Sequence, residues 1–171
     1  MNFRLATSKD TSNILKIYKE NHISSGGQLV SEFSCHLGLT YVTEVDHKII
    51  AYINVMEQLP ERITTETKMM NQSYCFPQKA LYIRQTAVGK AYQSKGVGKE
   101  SYKALQKLYP NTPLYAFVHL ANAQSMNFHV RNGFLPIGVF AVPKFYETLN
   151  YTAFLLTNQN TDFTVERSQE N

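Results

Sequence analysis

Tryptophan is absent from this chain, and cysteine is scarce, with only Cys35 and Cys75. No Cys-x-x-Cys pair occurs and no histidine stands at metal-ligand spacing, so no zinc or redox motif is present and no bound metal is expected. Two cysteines and no apolar leader in MNFRLATSKD predict reduced thiols and a cytoplasmic location. No apolar run approaches the length of a membrane span. Lysine and arginine are scattered, with no basic stripe interleaved with aromatics, which argues against a nucleic-acid partner. Internal repeats and low-complexity segments are also missing.

What is present is enough for one globular domain. The 171 residues are 43% apolar, with 11 Tyr and 10 Phe, and carry a formal charge of +4. That size and composition support a hydrophobic core. The modest positive excess favours an anionic ligand.

One stretch organises the rest. Residues 81–88 (LYIRQTAV) read as a β-strand. Residues 97–109 read as a helix, with Val97, Ser101, Leu105 and Leu108 on one face. Between them the chain turns through Gln93-Ser94-Lys95-Gly96-Val97-Gly98, with Lys95 and Lys99 adding charge. A helix start presents N–H groups without partners and partial positive charge, and glycines admit a ligand close to the backbone. The turn therefore suits a phosphate or pyrophosphate. It is not a Walker A loop: Gln93 stands where the first glycine belongs, and Gly98-Lys99 is followed by Glu100. It matches the dinucleotide fingerprint only in Gly96 and Gly98, since Ser101 stands at the third glycine.

The remaining elements follow in order. Residues 3–6 form a short strand, and Ser8 or Asp10 can cap a helix carrying Ile14, Ile17 and Tyr18 and ending near 21–22. Ser24 to Gly27 break the chain, and Leu29, Phe33, His36 and Leu37 predict a second short helix. Residues 40–45 and 48–56 predict a hairpin with Asp46-His47 at its tip. Residues 58–79 predict a long connection with a short helix at 66–71, in which Met69, Met70, Tyr74 and Phe76 pin the segment to the core. Strand 114–118, helix 122–132, a bent strand 134–140, a loop at 143–150 and strand 151–156 complete the domain, 1–157. A polar tail runs from 158 to 171.

Gln93-x-x-Gly96-x-Gly98 resembles the Q/R-x-x-G-x-G/A signature of the GNAT superfamily of N-acyltransferases. The segment from Asn122 to Phe134 is similar to that family's N-x-x-A-x-x-hydrophobic-Tyr-x-x-x-G-F, with Ser125 for the alanine and Gly133-Phe134 in place. The order of elements agrees over roughly residues 3 to 157. The resemblance implies an α+β (mixed α/β) fold: a central mixed sheet flanked by helices, with a parallel strand pair that splays after Val88 and Val118. It also implies acetyl-CoA as acyl donor, bound by Gln93, Ser94, Lys95, Gly96, Val97, Gly98 and Lys99, with Ala87 and Val88 along the pantetheine and Asn122 and Ser125 beside it. An amine of a small molecule or peptide would attack the thioester directly, in a monomer or homodimer.

Two family positions depart from the pattern. His129 stands where the family has the tyrosine that protonates the leaving thiolate. Tyr82 stands where a strand glutamate acts as base, and no Asp or Glu lies between Ala80 and Val88. Glu20, Glu32, Glu57 and Glu61 are the other candidate bases. Arg84 shares the parity of Tyr82, Thr86 and Val88 in a regular strand and is a candidate for a substrate carboxylate. These departures keep a second function open: a CoA-binding regulatory module without catalysis. An enzyme for a larger acyl group or a hydroxyl acceptor is a third.

Overall fold

The computed structural model describes residues 1–21, 39–70, 74–142 and 151–158. The helix expected near 29–37, the loop at 143–150 and the tail beyond 158 lie outside them, as do Glu32 and Cys35. The strands are β1 (Asn2–Leu5), β2 (Leu39–Val45), β3 (Lys48–Met56), β4 (Leu81–Val88), β5 (Leu114–His119), β6 (Leu135–Val142) and β7 (Tyr151–Thr157). The α-helices are α1 (Thr11–Glu20), α2 (Glu61–Met70), α3 (Val97–Leu108) and α4 (Ala123–Arg131). The strands make one seven-stranded sheet in the order β1-β2-β3-β4-β5-β7-β6, in which β4 and β5 form the parallel pair.

The hairpin of β2 and β3 turns through Asp46 and His47, whose φ values of 48° and 62° are left-handed without a glycine. The short helix expected at 66–71 begins earlier, at Glu61, and runs to Met70. α2 starts at Glu61, directly after Pro60, whose carbonyl accepts from Ile63 and Thr64 N–H. Tyr74 and Phe76 hold the connection down: Tyr74 is buried, its hydroxyl lies 2.9 Å from that of Tyr115, and Phe76 stacks edgewise on it. Asp10 occupies the residue before α1, but its carboxylate turns back instead of capping the helix. It accepts from the Thr7 N–H at 2.7 Å and from the Arg4 guanidinium at 2.8 and 3.0 Å.

Residues of β2 and β3 alternate between two faces. Tyr41, Ile53 and Val55 join Tyr102 and Leu105 of α3, while Val42 and Tyr52 join Ile14 and Ile17 of α1. On α3, Val97, Ser101, Tyr102 and Leu105 are buried. Leu108, expected on the same face, lies at the end of the helix and is exposed. Ser101, at the position where the dinucleotide fingerprint needs glycine, is committed to the core: its hydroxyl donates to the Val97 carbonyl at 2.8 Å and lies 2.6 Å from that of Thr43.

Candidate functional site

β4 and β5 pair only at Leu81, Tyr82 and Ile83 against Leu114, Tyr115 and Ala116. Beyond Ile83 β4 stays on β3 as far as Val88, while β5 turns its hydrogen bonds to β7 as far as His119. The two parallel strands therefore part, and a cleft of about 930 Å³ opens between them. Ala87 and Val88 line one side of it, and Asn122, Ser125 and His129 line the other. Its mouth is Gln93, Ser94, Gly96, Val97, Gly98 and Lys99.

The mouth is built from backbone constraints. Ser94 and Gly96 have φ of 59° and 79°, so the chain makes a left-handed step into α3. Gly96 is the residue before the helix, and no side chain caps it. The first N–H groups of α3 are thus left for an anion. The two glycines are needed for different reasons. At Gly96 a Cβ would meet nothing within 4 Å, so the requirement is the positive φ. At Gly98 a Cβ would lie 2.9 Å from Cε2 of Phe128, so the requirement is the close approach of α4.

Gln93 acts through its side chain on the protein itself. Its amide N–H₂ donates to the Val88 carbonyl at 3.0 Å and to Asn21 Oδ1 at 2.9 Å, and Asn21 donates back to Val88 O at 3.2 Å. The end of α1, the end of β4 and the loop are tied at one carbonyl. Asn21 was not singled out by the sequence; an asparagine closing a helix was the available signal. Lys95 does not line the cleft, and its ammonium sits 5.8 Å from the centre of the Tyr92 ring. Asn122 caps α4, its Oδ1 accepting from the Ser125 N–H at 3.0 Å.

His129 is 2% exposed and packed among the rings of Tyr102, Phe128 and Phe134. Nδ1 donates to the Ser125 carbonyl at 2.8 Å, which leaves Nε2 to accept from the Tyr102 hydroxyl at 3.1 Å. Burial lowers the His129 pKa, against a smaller opposing effect of the Ser125 carbonyl. The ring is therefore neutral at physiological pH. The unfolded chain takes up this proton near pH 6.5, before the folded protein does, so stability falls as pH drops through the window below 6.5. His129→Gln is expected to flatten that slope in urea unfolding at pH 7.5 and 5.5; an unchanged slope would assign it to other groups.

Tyr82 does not line the cleft. It packs with Ile63, Tyr74, Tyr115 and Leu155, and burial pushes its hydroxyl up to about 12. At neutral pH it is a donor, not a proton acceptor. Glu20 accepts the Lys90 N–H at 3.2 Å, and Glu57 and Glu61 are exposed. No carboxylate lines the cleft among the described residues.

Strand parity changes within β4. Asn54 pairs with Gln85 but Val55 pairs with Ile83, so Arg84 is an extra residue in a bulge. Ile83 packs on the α3 face and Ala87 on the α1 face, although a regular strand would put residues four apart on the same side. Arg84 therefore does not share a face with Tyr82, Thr86 and Val88 as regular alternation predicts. Thr86 pairs with Ile53, which packs on the α3 side, and Gln85 shares the α1 face with Ala87. Arg84, Gln85 and Asn54 all line the cleft.

No helix among the described residues is long and apolar enough to cross a membrane. No curated protein sequence matches the chain. Solved structures match its fold. Naa20 of Chaetomium thermophilum, in complex with a bisubstrate analogue, superposes with a TM-score of 0.67 at 16% identity, over 92% of this chain and 85% of that one. NAA60 of Arabidopsis thaliana, in complex with acetyl-CoA, gives 0.66 at 14% identity, over 91% and 97%. The ribosomal-protein-S18-alanine N-acetyltransferase of Escherichia coli gives 0.62 at 14%, over 91% of each chain. The family model described as "Acetyltransferase (GNAT) family" matches residues 11–134, from the start of α1 through both landmark segments to Phe134. With the motifs, the splayed strand pair and the family model in agreement, this chain belongs to the GNAT acetyltransferase family.

Proposed function

We propose that this protein transfers an acetyl group from acetyl-CoA to an amine of a small molecule or a peptide. The observation that carries the reading is the parting of β4 from β5 onto an uncapped helix start at Gly96. Gly96, Val97, Gly98 and Lys99 would hold the pyrophosphate through N–H groups, with Gln93 and Ser94 shaping the turn and Lys95 adding charge nearby. Ala87 and Val88 would run beside the pantetheine, opposite Asn122 and Ser125. Acetyl-CoA supplies an activated acyl carbon: the amine nitrogen forms the C–N bond as the C–S bond breaks, the amine loses a proton and the thiolate gains one. A main-chain N–H near Val88 is suited to the oxyanion. His129 is assigned to shaping the acyl end rather than to carrying its proton, by holding Ser125 and Tyr102 in place, and Tyr82 to the packing behind β4. Holding the two reactants together can itself supply much of the rate. The protein would work in the cytoplasm, as a monomer or homodimer.

The neutral His129 and the lack of a carboxylate in the lining among the described residues favour one alternative, a CoA-binding module that does not turn over. Release of free thiol from acetyl-CoA, followed in the presence of an amine panel and checked by mass of the acetylated product, separates the two. We expect amine-dependent release; tight acetyl-CoA binding with no transfer to any amine would favour the module. Competition between acetyl-CoA and longer acyl-CoAs tests the choice of acyl group.

A further inference from the structure

Gln85 Oε1 is a buried acceptor with no hydrogen-bond partner among the described residues. Such an atom forfeits its water without replacement, which is costly enough to need a reason. Its place supplies one. Gln85 follows the Arg84 bulge, which turns it onto the α1 face, opposite Tyr102, His129 and the rest of the α3 side. It lines the cleft just where β4 has left β5. Its cross-strand neighbour Asn54 also lines the cleft and donates its amide N–H₂ to Thr40 Oγ1 at 2.8 Å. That bond fixes the Asn54 amide with its donor turned to β2. Two uncharged amides therefore line the cleft, and Gln85 holds the unpaired lone pair beside it.

We propose that Gln85 Oε1 receives an N–H of the acceptor amine and aligns its nitrogen lone pair toward the acyl carbon. This inference rests on the acetyl-transfer reading and narrows its acceptor. A carbonyl accepts one N–H but does not balance an ammonium charge as a carboxylate does. The site thus takes the amine in its neutral form and favours amines of low pKa. An α-amine, with a pKa of about 7.8, is roughly 30% neutral at pH 7.4, whereas a lysine-type amine at about 10.4 is ~0.1% neutral. The acceptor class is an α-amine, of an amino acid derivative or a peptide terminus.

The test uses the full chain, acetyl-CoA, alanyl-alanine amide and n-butylamine at pH 7.4, with wild type, Gln85→Met and Gln85→Glu. Methionine keeps the length and removes the acceptor; glutamate keeps an acceptor and adds charge. Wild type should prefer the dipeptide amide by about 100-fold in kcat/KM. Gln85→Met should keep acetyl-CoA affinity within about twofold and a melting temperature at or above that of wild type. Its KM for the dipeptide amide should rise about tenfold, with a smaller change in kcat. Gln85→Glu should keep the low KM and shift the pH–rate profile. Wild-type KM in a folded Gln85→Met overturns the inference, and so does a wild type that binds acetyl-CoA but prefers n-butylamine or acetylates neither amine. A folded wild type that does not bind acetyl-CoA instead overturns the acetyl-transfer reading on which it stands.

Discussion

Replacing both Gly96 and Gly98 with glutamate is expected to lower acetyl-CoA affinity more than ~100-fold, below detection by calorimetry, while the protein stays folded by circular dichroism. Three effects act together. Gly96 holds φ of 79°, which any side chain resists by roughly 1–2 kcal/mol. A Cβ on Gly98 points at Cε2 of Phe128 from 2.9 Å, so the loop or the ring must move. Two carboxylates then face an incoming pyrophosphate, and each like-charge contact near a surface is worth about 1–4 kcal/mol. Single alanines divide the contributions. Gly98→Ala should be partly rescued by Phe128→Leu, which makes room, whereas Gly96→Ala should not, because its obstacle is the backbone. Wild-type affinity in the folded double variant would remove residues 93–99 from the binding site.

The largest effect on stability is expected far from the cleft, at Arg4. Its guanidinium joins three elements: β1, which carries it, the turn at Asp10, and β2 through Glu44 at 2.9 Å from Nε. Asp10 is 6% exposed, and the Arg4 guanidinium beside it holds its carboxyl far below the usual carboxylate range, helped by the Thr7 N–H and hydroxyl. Arg4→Met removes the charge and keeps the apolar stem, leaving that carboxylate buried and unpaired. Breaking such a pair costs about 3–5 kcal/mol when fully buried. One third of Arg4 is exposed and screened, so about 2–4 kcal/mol is expected. For a chain of this size that lowers the melting temperature by about 5–15 °C at pH 7. The pH dependence has a definite sign. Because the folded pKa of Asp10 is depressed, its stabilisation is complete above the ordinary carboxylate pKa and is lost as pH falls below it. Wild type and Arg4→Met should therefore converge in strong acid. A melting temperature within about 2 °C of wild type at pH 7 would mean the network contributes little. Acetyl-CoA affinity should be unaffected in either case.

What could be read in the residues was what local chemistry decides. The turn into α3 was legible because left-handed steps and bare helix starts leave a signature of glycines at fixed spacing, and Gly96 and Gly98 carry it. The hairpin of β2 and β3 was legible from alternation. α2 was only half legible: a helix was expected over 66–71, while its first turn, with Thr64 and Thr65, read as connection because threonines are weak helix formers. The bulge at Arg84 left no mark, since an extra residue in β4 is defined only against β3. The bond between Tyr102 and His129 joins residues 27 apart on two helices, and it changed the expected role of His129 from proton donor to neutral acceptor. His129 lines the cleft, and the tertiary contact decides its tautomer.

The three-pair junction of β4 with β5 also bears on how the molecule comes apart. On one side stands a sheet of β1 to β4, and on the other β5, β7 and β6, so the ladder hydrogen bonds across the middle are concentrated at Leu81 to Ile83. That seam is where cooperativity is thinnest, and amides flanking it should exchange with deuterium through sub-global opening rather than full unfolding. A ligand spanning the gap would act as the missing rungs, so bound acetyl-CoA should couple the two halves into one unfolding unit as well as raise the midpoint.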